Sequence, residues 1–105
     1  MSKSISVTEL DKILQSENQA LIFDVRKKPA FDSSPAMIPT AKWRIHDEVE
    51  KWGDDCSQGT QVVVYCVHGH EVSQNAAKAL GEMGIKAYYL EGGIAAWGEA
   101  GLGVS

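Results

Sequence analysis

The segment that most constrains the fold runs from Gln61 to Cys66 and contains three consecutive valines. A short apolar run without polar alternation is typical of a strand buried on both faces, as strands are in parallel sheets. Two further runs of this kind span Ala20 to Val25 and Ala87 to Leu90. The sequence therefore predicts a parallel sheet at the centre of the molecule.

Helical patterns alternate with these strands. Ser6 and Glu9 form a capping-box pair before a helix that is predicted to end near Ser16. The stretch from Arg26 to Pro39 holds all three prolines and is predicted to be irregular, with one helical turn near Phe31. The shorter predicted elements are a polar turn over 17–19, a strand over 41–45 and helices over 47–52 and 94–100.

The longest predicted helix follows the valine-rich strand. It spans 74–83, with Ser73 as its N-cap and Gly84 as the left-handed residue at its C-terminus. Strands that alternate with helices are characteristic of a parallel sheet covered by helices. We therefore expect a single α/β domain over residues 1–105, with four to five mainly parallel strands and helices on both faces.

Composition narrows the range of functions. A net charge of −4 argues against a nucleic-acid partner, because nucleic-acid binders usually carry a basic stripe. No apolar stretch approaches the roughly 20 residues that span a bilayer, so no membrane partner is expected. The first ten residues lack the apolar core of a signal peptide, which favours a cytoplasmic protein with reduced thiols. The small size favours a monomer.

Cys66 is the strongest candidate for a catalytic residue. It ends a buried strand, and ligands of open parallel sheets bind beyond the carboxyl ends of the strands. The following loop must curl back to begin a helix, so its N–H groups can form an anion-binding nest that favours a thiolate. Gly69 suits a position that needs a positive φ or a close approach to a ligand. The predicted substrate-binding loop consists of Val67, His68, Gly69, His70, Glu71, Val72 and Ser73.

Other interpretations of these residues stay open. A cysteine at the end of a valine-rich strand is often only a small core residue. His68 and His70 can be solvent-facing loop residues, substrate ligands or supports for the thiolate charge. A metal site with Cys66 is disfavoured, because three ligands on one tight loop converge poorly and no fourth is evident.

Several residues outside the loop are candidates for supporting roles. Asp24 and Arg26 end the first buried strand, and we expect them to form a structural ion pair beneath the loop or to contact substrate. Arg44 is a weaker candidate for binding an anion at the pocket rim. Cys56 lies in a polar turn and is interpreted as a surface thiol, although it can also resolve a persulfide or disulfide at Cys66. Core or wall positions are expected for Trp43, Trp52 and Trp97.

Four motifs in order resemble the single-domain rhodaneses, the thiosulfate sulfurtransferase family. Asp24-Val25-Arg26 is similar to the Asp-Val-Arg strand end of that family, and Val62 to Cys66 is similar to its strand into the nucleophile. Residues 36–41 resemble a degraded form of its Gly-His-Ile-Pro-Gly-Ala turn. Residues 90–97, which contain Gly92-Gly93 and end in Trp97, resemble its terminal motif.

The resemblance implies covalent sulfur transfer. The Cys66 thiolate would attack a small sulfane-sulfur donor and become a persulfide, which a thiol, a cyanide-like nucleophile or a protein acceptor would then discharge. The loop amides would stabilise the persulfide, as oxyanion holes stabilise anions. No metal and no organic cofactor are implied.

The loop departs from the family pattern. Glu71 stands where arginine is often found, and the loop looks one residue longer, so thiosulfate is expected to be a poor donor. A longer loop is similar to the Cys-x5-Arg loop of related phosphatases and arsenate reductases, but Val72 occupies the arginine position. Residues 66–73 also resemble the loop of rhodanese-like proteins associated with chromate resistance. A non-catalytic binding or sensor module is the other alternative.

Overall fold

A computed structural model describes residues 3–16, 20–56 and 61–104. Its centre is a sheet of five parallel strands in the order β1-β5-β4-β2-β3. The strands are β1 (Lys3–Ile5), β2 (Leu21–Asp24), β3 (Lys42–Trp43), β4 (Val62–Tyr65) and β5 (Ala87–Leu90). The α-helices are α1 (Val7–Gln15), α2 (Lys28–Ser33), α3 (Val49–Trp52), α4 (Glu71–Glu82) and α5 (Gly93–Glu99).

The central strand β4 is buried on both faces, as its run of valines predicted. Val62 and Val64 pack into one hydrophobic cluster, whereas Val63 and Tyr65 pack into a second. Because successive side chains of a strand point to opposite faces, the two clusters lie on opposite sides of the sheet.

Each face of the sheet is covered by helices. Trp52 of α3 and Leu80 of α4 contribute to the first cluster, and Leu10 of α1 and Trp97 of α5 contribute to the second. The predicted α/β domain with a parallel sheet and helices on both faces is confirmed. No helix within the described residues is long and apolar enough to cross a membrane.

The first strand, β1, was not predicted. Lys3 to Ile5 pairs with β5, and only Ile5 of this strand is buried. Three residues with two exposed polar side chains carry no hydrophobic pattern, so the pairing depends on a partner that lies far along the chain. The capping box of Ser6 and Glu9 that follows it is confirmed.

The structure corrects the bounds of several elements. The segment after β2 contains the six-residue helix α2 rather than one turn, with Pro29 in its first turn. The strand predicted over 41–45 is reduced to β3, and the helix predicted over 47–52 begins at Val49 and passes into a 3-10 turn over Gly53–Asp55. The turn predicted over 17–19 lies outside the described residues.

The start of α4 was placed too late. The helix begins at Glu71 with His70 as its N-cap, so Ser73 lies inside the first turn and is not the cap. The loop between β4 and α4 is therefore shorter than predicted, and Val72 and Ser73 belong to the helix. Ser73 reads as a capping residue from sequence because its side chain commonly caps helices, whereas here its hydroxyl is turned toward Cys66.

Cys56 is not a surface thiol. The residue is 7% exposed and packs into the hydrophobic cluster that contains Phe23 and Trp52. The polar neighbours Asp54 and Asp55 indicated a solvent-exposed turn, but the 3-10 turn directs Cys56 inward.

Candidate active site

Cys66 lies at the carboxyl edge of the sheet, directly after the central strand β4. Neighbouring strand β2 leads into Arg26 and Lys27, and neighbouring strand β5 leads into Gly92 and Gly93. A cavity of about 260 Å³, here called the Cys66 pocket, opens at this edge. It is lined by Arg26, Lys27, Ala30, Cys66, Val67, His68, His70, Glu71 and Val72.

Cys66 is 6% exposed and lines this pocket. The thiol is therefore shielded from bulk water yet borders a cavity, unlike Cys56, which packs into the core. The two cysteines are not joined by a disulfide.

Helix α5 fixes the orientation of the first loop peptides. The N–H groups of Ile94 and Ala95 donate to the carbonyls of Cys66 and Val67, each at 3.0 Å. A peptide group is planar, and in the trans form its N–H points opposite to its C=O. The N–H groups of Val67 and His68 consequently point away from α5.

Gly93 makes this contact with α5 sterically feasible. Its φ is +61°, and a Cβ at this position would collide with the carbonyl oxygens of Cys66 and Val67. Gly93 of the Gly-Gly pair thus supports the backbone of the cysteine loop.

Gly69 fulfils the requirement expected from the sequence. Its φ is +72°, and a Cβ there would lie 2.6 Å from the carbonyl oxygen of Leu90 and 2.7 Å from the backbone nitrogen of Gly92. Both the backbone conformation and the close approach to the end of β5 favour glycine. The loop can therefore pack tightly against its neighbour.

The first turn of α4 supplies a hydroxyl to the thiol. The Sγ atom of Cys66 lies 3.1 Å from the Oγ atom of Ser73, whose side chain is fully buried. The same hydroxyl lies 3.5 Å from the carbonyl oxygen of His70, a longer and weaker contact. Ser73 was included in the predicted site, but its contact with the sulfur was not foreseen.

Asp24 and Arg26 form the ion pair expected at the end of β2. The Nε and Nη2 atoms of Arg26 donate to the Asp24 carboxylate at 2.9 and 2.6 Å, and both side chains are buried. Arg26 also donates to the backbone carbonyls of Ser34 and Ala36. The guanidinium therefore ties the segment after α2 to the sheet, although Arg26 also lines the Cys66 pocket.

Tyr65 lies beneath this ion pair. Its hydroxyl accepts a hydrogen bond from the backbone N–H of Ile38 at 3.2 Å and interacts with the carboxylate of Asp24. Burial raises the pKa of Tyr65 above its ordinary value of 10.0, and the negative charge of Asp24 raises it further. The phenol is thus held neutral as part of the scaffold.

The rim of the pocket carries charged and aromatic side chains. His68, His70 and Glu71 are exposed there, and the two imidazole rings lie 6.0 Å apart. Lys27 is also exposed at this rim and was not predicted, because it belongs to a polar segment far from the cysteine in sequence. No group of three or more histidine, cysteine or acidic residues within the described chain is arranged to hold a metal ion.

Arg44 does not border the Cys66 pocket. It lines a separate groove with Ile45 and Trp52, and its guanidinium stacks 5.5 Å from the ring centre of Phe23. The expectation that Arg44 binds an anion beside Cys66 is therefore not met. Trp52 and Trp97 are buried as expected, and Trp43 is partly buried.

Comparison with known families gives a match over nearly the whole chain. The model of the rhodanese-like domain matches residues 6–100. A search of curated proteins gave no significant match.

Solved structures share the architecture. A rhodanese-like domain protein from Staphylococcus aureus is 29% identical, with 98% of each chain covered and a TM-score of 0.81. A rhodanese-related protein from Thermoplasma volcanium is 24% identical, with 98% of this chain and 97% of that chain covered and a TM-score of 0.82. A Rhodopseudomonas palustris protein described as a possible tyrosine phosphatase is 24% identical, with 99% and 85% covered and a TM-score of 0.85. The two similarities at 24% identity concern the fold alone.

Proposed function

This chain belongs to the rhodanese-like domain family, and on that premise we propose that it is a sulfurtransferase that carries sulfur as a persulfide on Cys66. The observation that carries the proposal is the position of the Cys66 thiol, which is sheltered at the carboxyl end of β4 yet borders a cavity. The other cysteine, Cys56, packs into the core and does not line this cavity.

The proposed reaction has two steps. In the first, the thiolate of Cys66 attacks the sulfane sulfur of a donor, the donor's bond to that sulfur breaks, and its electron pair departs with the leaving group. In the second, a nucleophilic acceptor attacks the outer sulfur of the persulfide, and the electron pair of the S–S bond returns to Cys66. The sulfane sulfur changes carrier and no external oxidant or reductant is consumed.

Two features of the loop support an anionic sulfur at this place. The N–H groups of Val67 and His68 point away from α5 because the carbonyls of the same peptides accept hydrogen bonds from that helix, so α5 does not occupy these two donors. The hydroxyl of Ser73 can rotate and donate to an ionised sulfur at its distance of 3.1 Å. Preorganised donors of this kind stabilise charge without reorganisation during the reaction.

Phosphoryl and arsenate transfer receive less support. Such chemistry relies on an arginine that clamps the tetrahedral anion. The sixth residue after the cysteine is Val72, and Arg26 directs its guanidinium to Asp24 and two backbone carbonyls. Among the described residues that line the pocket, no other arginine is present.

The proposal is tested by measuring the intact mass of the protein after incubation with several sulfane donors. We expect the gain of one sulfur atom in the wild type and in Cys56→Ala, and none in Cys66→Ser. Addition of cyanide or a thiol is expected to remove the added sulfur. Cys56→Ala is the matched control, since it removes the other thiol of the chain from a position that does not line the pocket.

Two outcomes would contradict the proposal. Sulfur that still binds to Cys66→Ser would place the chemistry elsewhere. A folded wild-type protein that accepts sulfur from no donor would favour a non-catalytic binding or sensor module instead.

A further inference from the structure

Apart from the reacting sulfur, the charge of the Cys66 pocket is balanced rather than positive. Arg26 is neutralised by Asp24 in a buried ion pair. The remaining fixed charges among the lining residues are those of Lys27 and Glu71, one of each sign. A dianion such as thiosulfate is poorly matched to the lining of this pocket, because the positive charge of Lys27 is offset by the carboxylate of Glu71.

Lys27 and Glu71 do not neutralise each other directly. Both side chains are exposed at the rim, and within the described part of the chain neither forms an ion pair. Lys27 is the residue before α2, and Glu71 begins α4, so the two charges are held on different elements. A small molecule that enters the pocket thus meets a cation and an anion that are separated by more than ion-pair contact.

The space between the charges is lined partly by aliphatic side chains. Ala30, Val67 and Val72 are lining residues, and the cavity measures about 260 Å³. Cavities for drug-sized ligands begin at about 300 Å³, so this one has room for a small organic body. Its lining suits a carbon skeleton better than a compact, strongly hydrated oxyanion.

We propose that the sulfur donor is a small zwitterionic organic persulfide, with its carboxylate at Lys27, its ammonium at Glu71 and its outer sulfur at Cys66. This inference rests on the proposed function. The Cys66 thiolate attacks the outer sulfur of R–S–SH, the S–S bond of the donor breaks, and the inner sulfur departs as the thiolate R–S⁻. The proton stays on the transferred sulfur, and Cys66 becomes a persulfide.

The test uses a series of donors made from three thiols that share the same two-carbon unit next to sulfur and differ in their charged groups. Cysteine persulfide carries both charges, cysteamine persulfide lacks the carboxylate, and 3-mercaptopropionate persulfide lacks the ammonium. Thiosulfate is the inorganic reference. The rate at which sulfur is added to Cys66 is followed by quenched-flow mass spectrometry. We expect cysteine persulfide to react faster than either singly charged analogue by about fivefold, the scale of one exposed charge contact.

Charge-removing variants assign each contact. Lys27→Gln should abolish the preference for cysteine persulfide over cysteamine persulfide. Glu71→Gln should abolish the preference over 3-mercaptopropionate persulfide and should speed the reaction with thiosulfate. Lys28→Gln is the control for the first variant, because Lys28 pairs with Asp32 and does not line the pocket. Glu82→Gln, at the other end of α4, is the control for the second.

The outcomes separate this inference from the function on which it rests. Sulfur transfer from every donor at rates that do not depend on the donor's charges, or on Lys27 and Glu71, would overturn the inference and leave the sulfurtransferase intact. Thiosulfate as the fastest donor would overturn it as well. Absence of sulfur on Cys66 with all donors would instead refute the function itself.

Discussion

The sulfur of Cys66 and the hydroxyl of Ser73 lie 3.1 Å apart, although one residue follows a strand and the other belongs to the first turn of a helix. As a thiol, Cys66 donates to the Ser73 oxygen. As a thiolate or persulfide, the Sγ atom of Cys66 has no proton to donate. The Ser73 hydroxyl can then rotate away from its weak contact with the His70 carbonyl and donate to the sulfur. The pair can therefore adjust to either state of the sulfur without movement of the backbone.

Ser73→Ala is expected to slow the formation of the Cys66 persulfide by about tenfold. Hydrogen bonds to charged groups contribute roughly 1.5 to 3 kcal/mol, and part of this is retained by the loop amides. The rate is measured by intact mass after mixing with a sulfane donor. Ser33→Ala is the control, because its exposed hydroxyl donates to the Pro29 carbonyl within α2. Equal rates in Ser73→Ala and the wild type would show that the hydroxyl is not used.

Gly93→Ala is expected to destabilise the fold by about 3 kcal/mol or more. The new Cβ collides with the carbonyl oxygens of Cys66 and Val67, and the alanine must also adopt the positive φ of this position. Gly98→Ala in the same helix is the matched control, because nothing lies within 4 Å of its Cβ position. In that control the free energy of unfolding should rise by up to about 1 kcal/mol, because alanine has a higher helix propensity than glycine. Urea unfolding of both variants measures the difference, and similar stabilities would contradict the packing described for α5.

Asp24→Asn is expected to lower the free energy of unfolding by about 3 to 5 kcal/mol. The substitution leaves the guanidinium of Arg26 buried without its counter-charge. Arg26→Met alone should also destabilise the protein, whereas the double variant should lose less than the sum of the two single losses. A double-mutant cycle by urea unfolding measures this coupling, and additive losses would mean that the pair is energetically independent.

Tyr65→Phe is expected to alter stability in a manner that depends on pH. The pKa of Tyr65 is raised in the folded state, so at high pH the unfolded chain ionises first and holds fewer protons. The contribution of the Tyr65 hydroxyl to the free energy of unfolding is therefore complete at pH values below its ordinary pKa of 10.0. It is lost as the pH rises above that value toward the raised pKa of the folded state. The phenylalanine variant should be less stable near neutral pH by roughly 1 to 3 kcal/mol, because the Ile38 N–H loses its acceptor.

The difference in the free energy of unfolding between the wild type and Tyr65→Phe should become smaller as the pH rises above 10.0, where the stabilisation by the neutral phenol is lost. Urea midpoints at several alkaline pH values measure this change. Comparison of the two proteins at each pH cancels the titration of the lysines that they share. A gap that stays constant would contradict the burial of the phenol.

The buried centre of the fold could be predicted from sequence because it carries strong local patterns. The valines of β4 and the capping box of Ser6 and Glu9 specify their elements without reference to distant residues. β1 could not be predicted, since its three residues gain their conformation from pairing with β5. The inward orientation of Cys56 likewise depends on tertiary packing, and its polar neighbours in sequence gave no sign of it.

The candidate site was predictable where it is contiguous in sequence and not where it is assembled from separate elements. Cys66 and the glycine requirement at Gly69 follow from the strand-loop-helix order. Lys27 reaches the pocket because β2 and β4 are neighbours in the sheet, and this strand order could not be predicted from the sequence. The same dependence on tertiary arrangement explains why Arg44 was wrongly placed beside Cys66.

The brevity of the outer strands has a consequence for the protein at high concentration. β1 contributes three residues and β3 only two, and exposed lysines, Lys3 and Lys42, stand on them. An incoming chain would find few unpaired backbone groups with which to extend the sheet, and it would have to approach a positive charge at either side. Edge-to-edge growth into fibrous aggregates is thereby discouraged by the shortness of both outer strands.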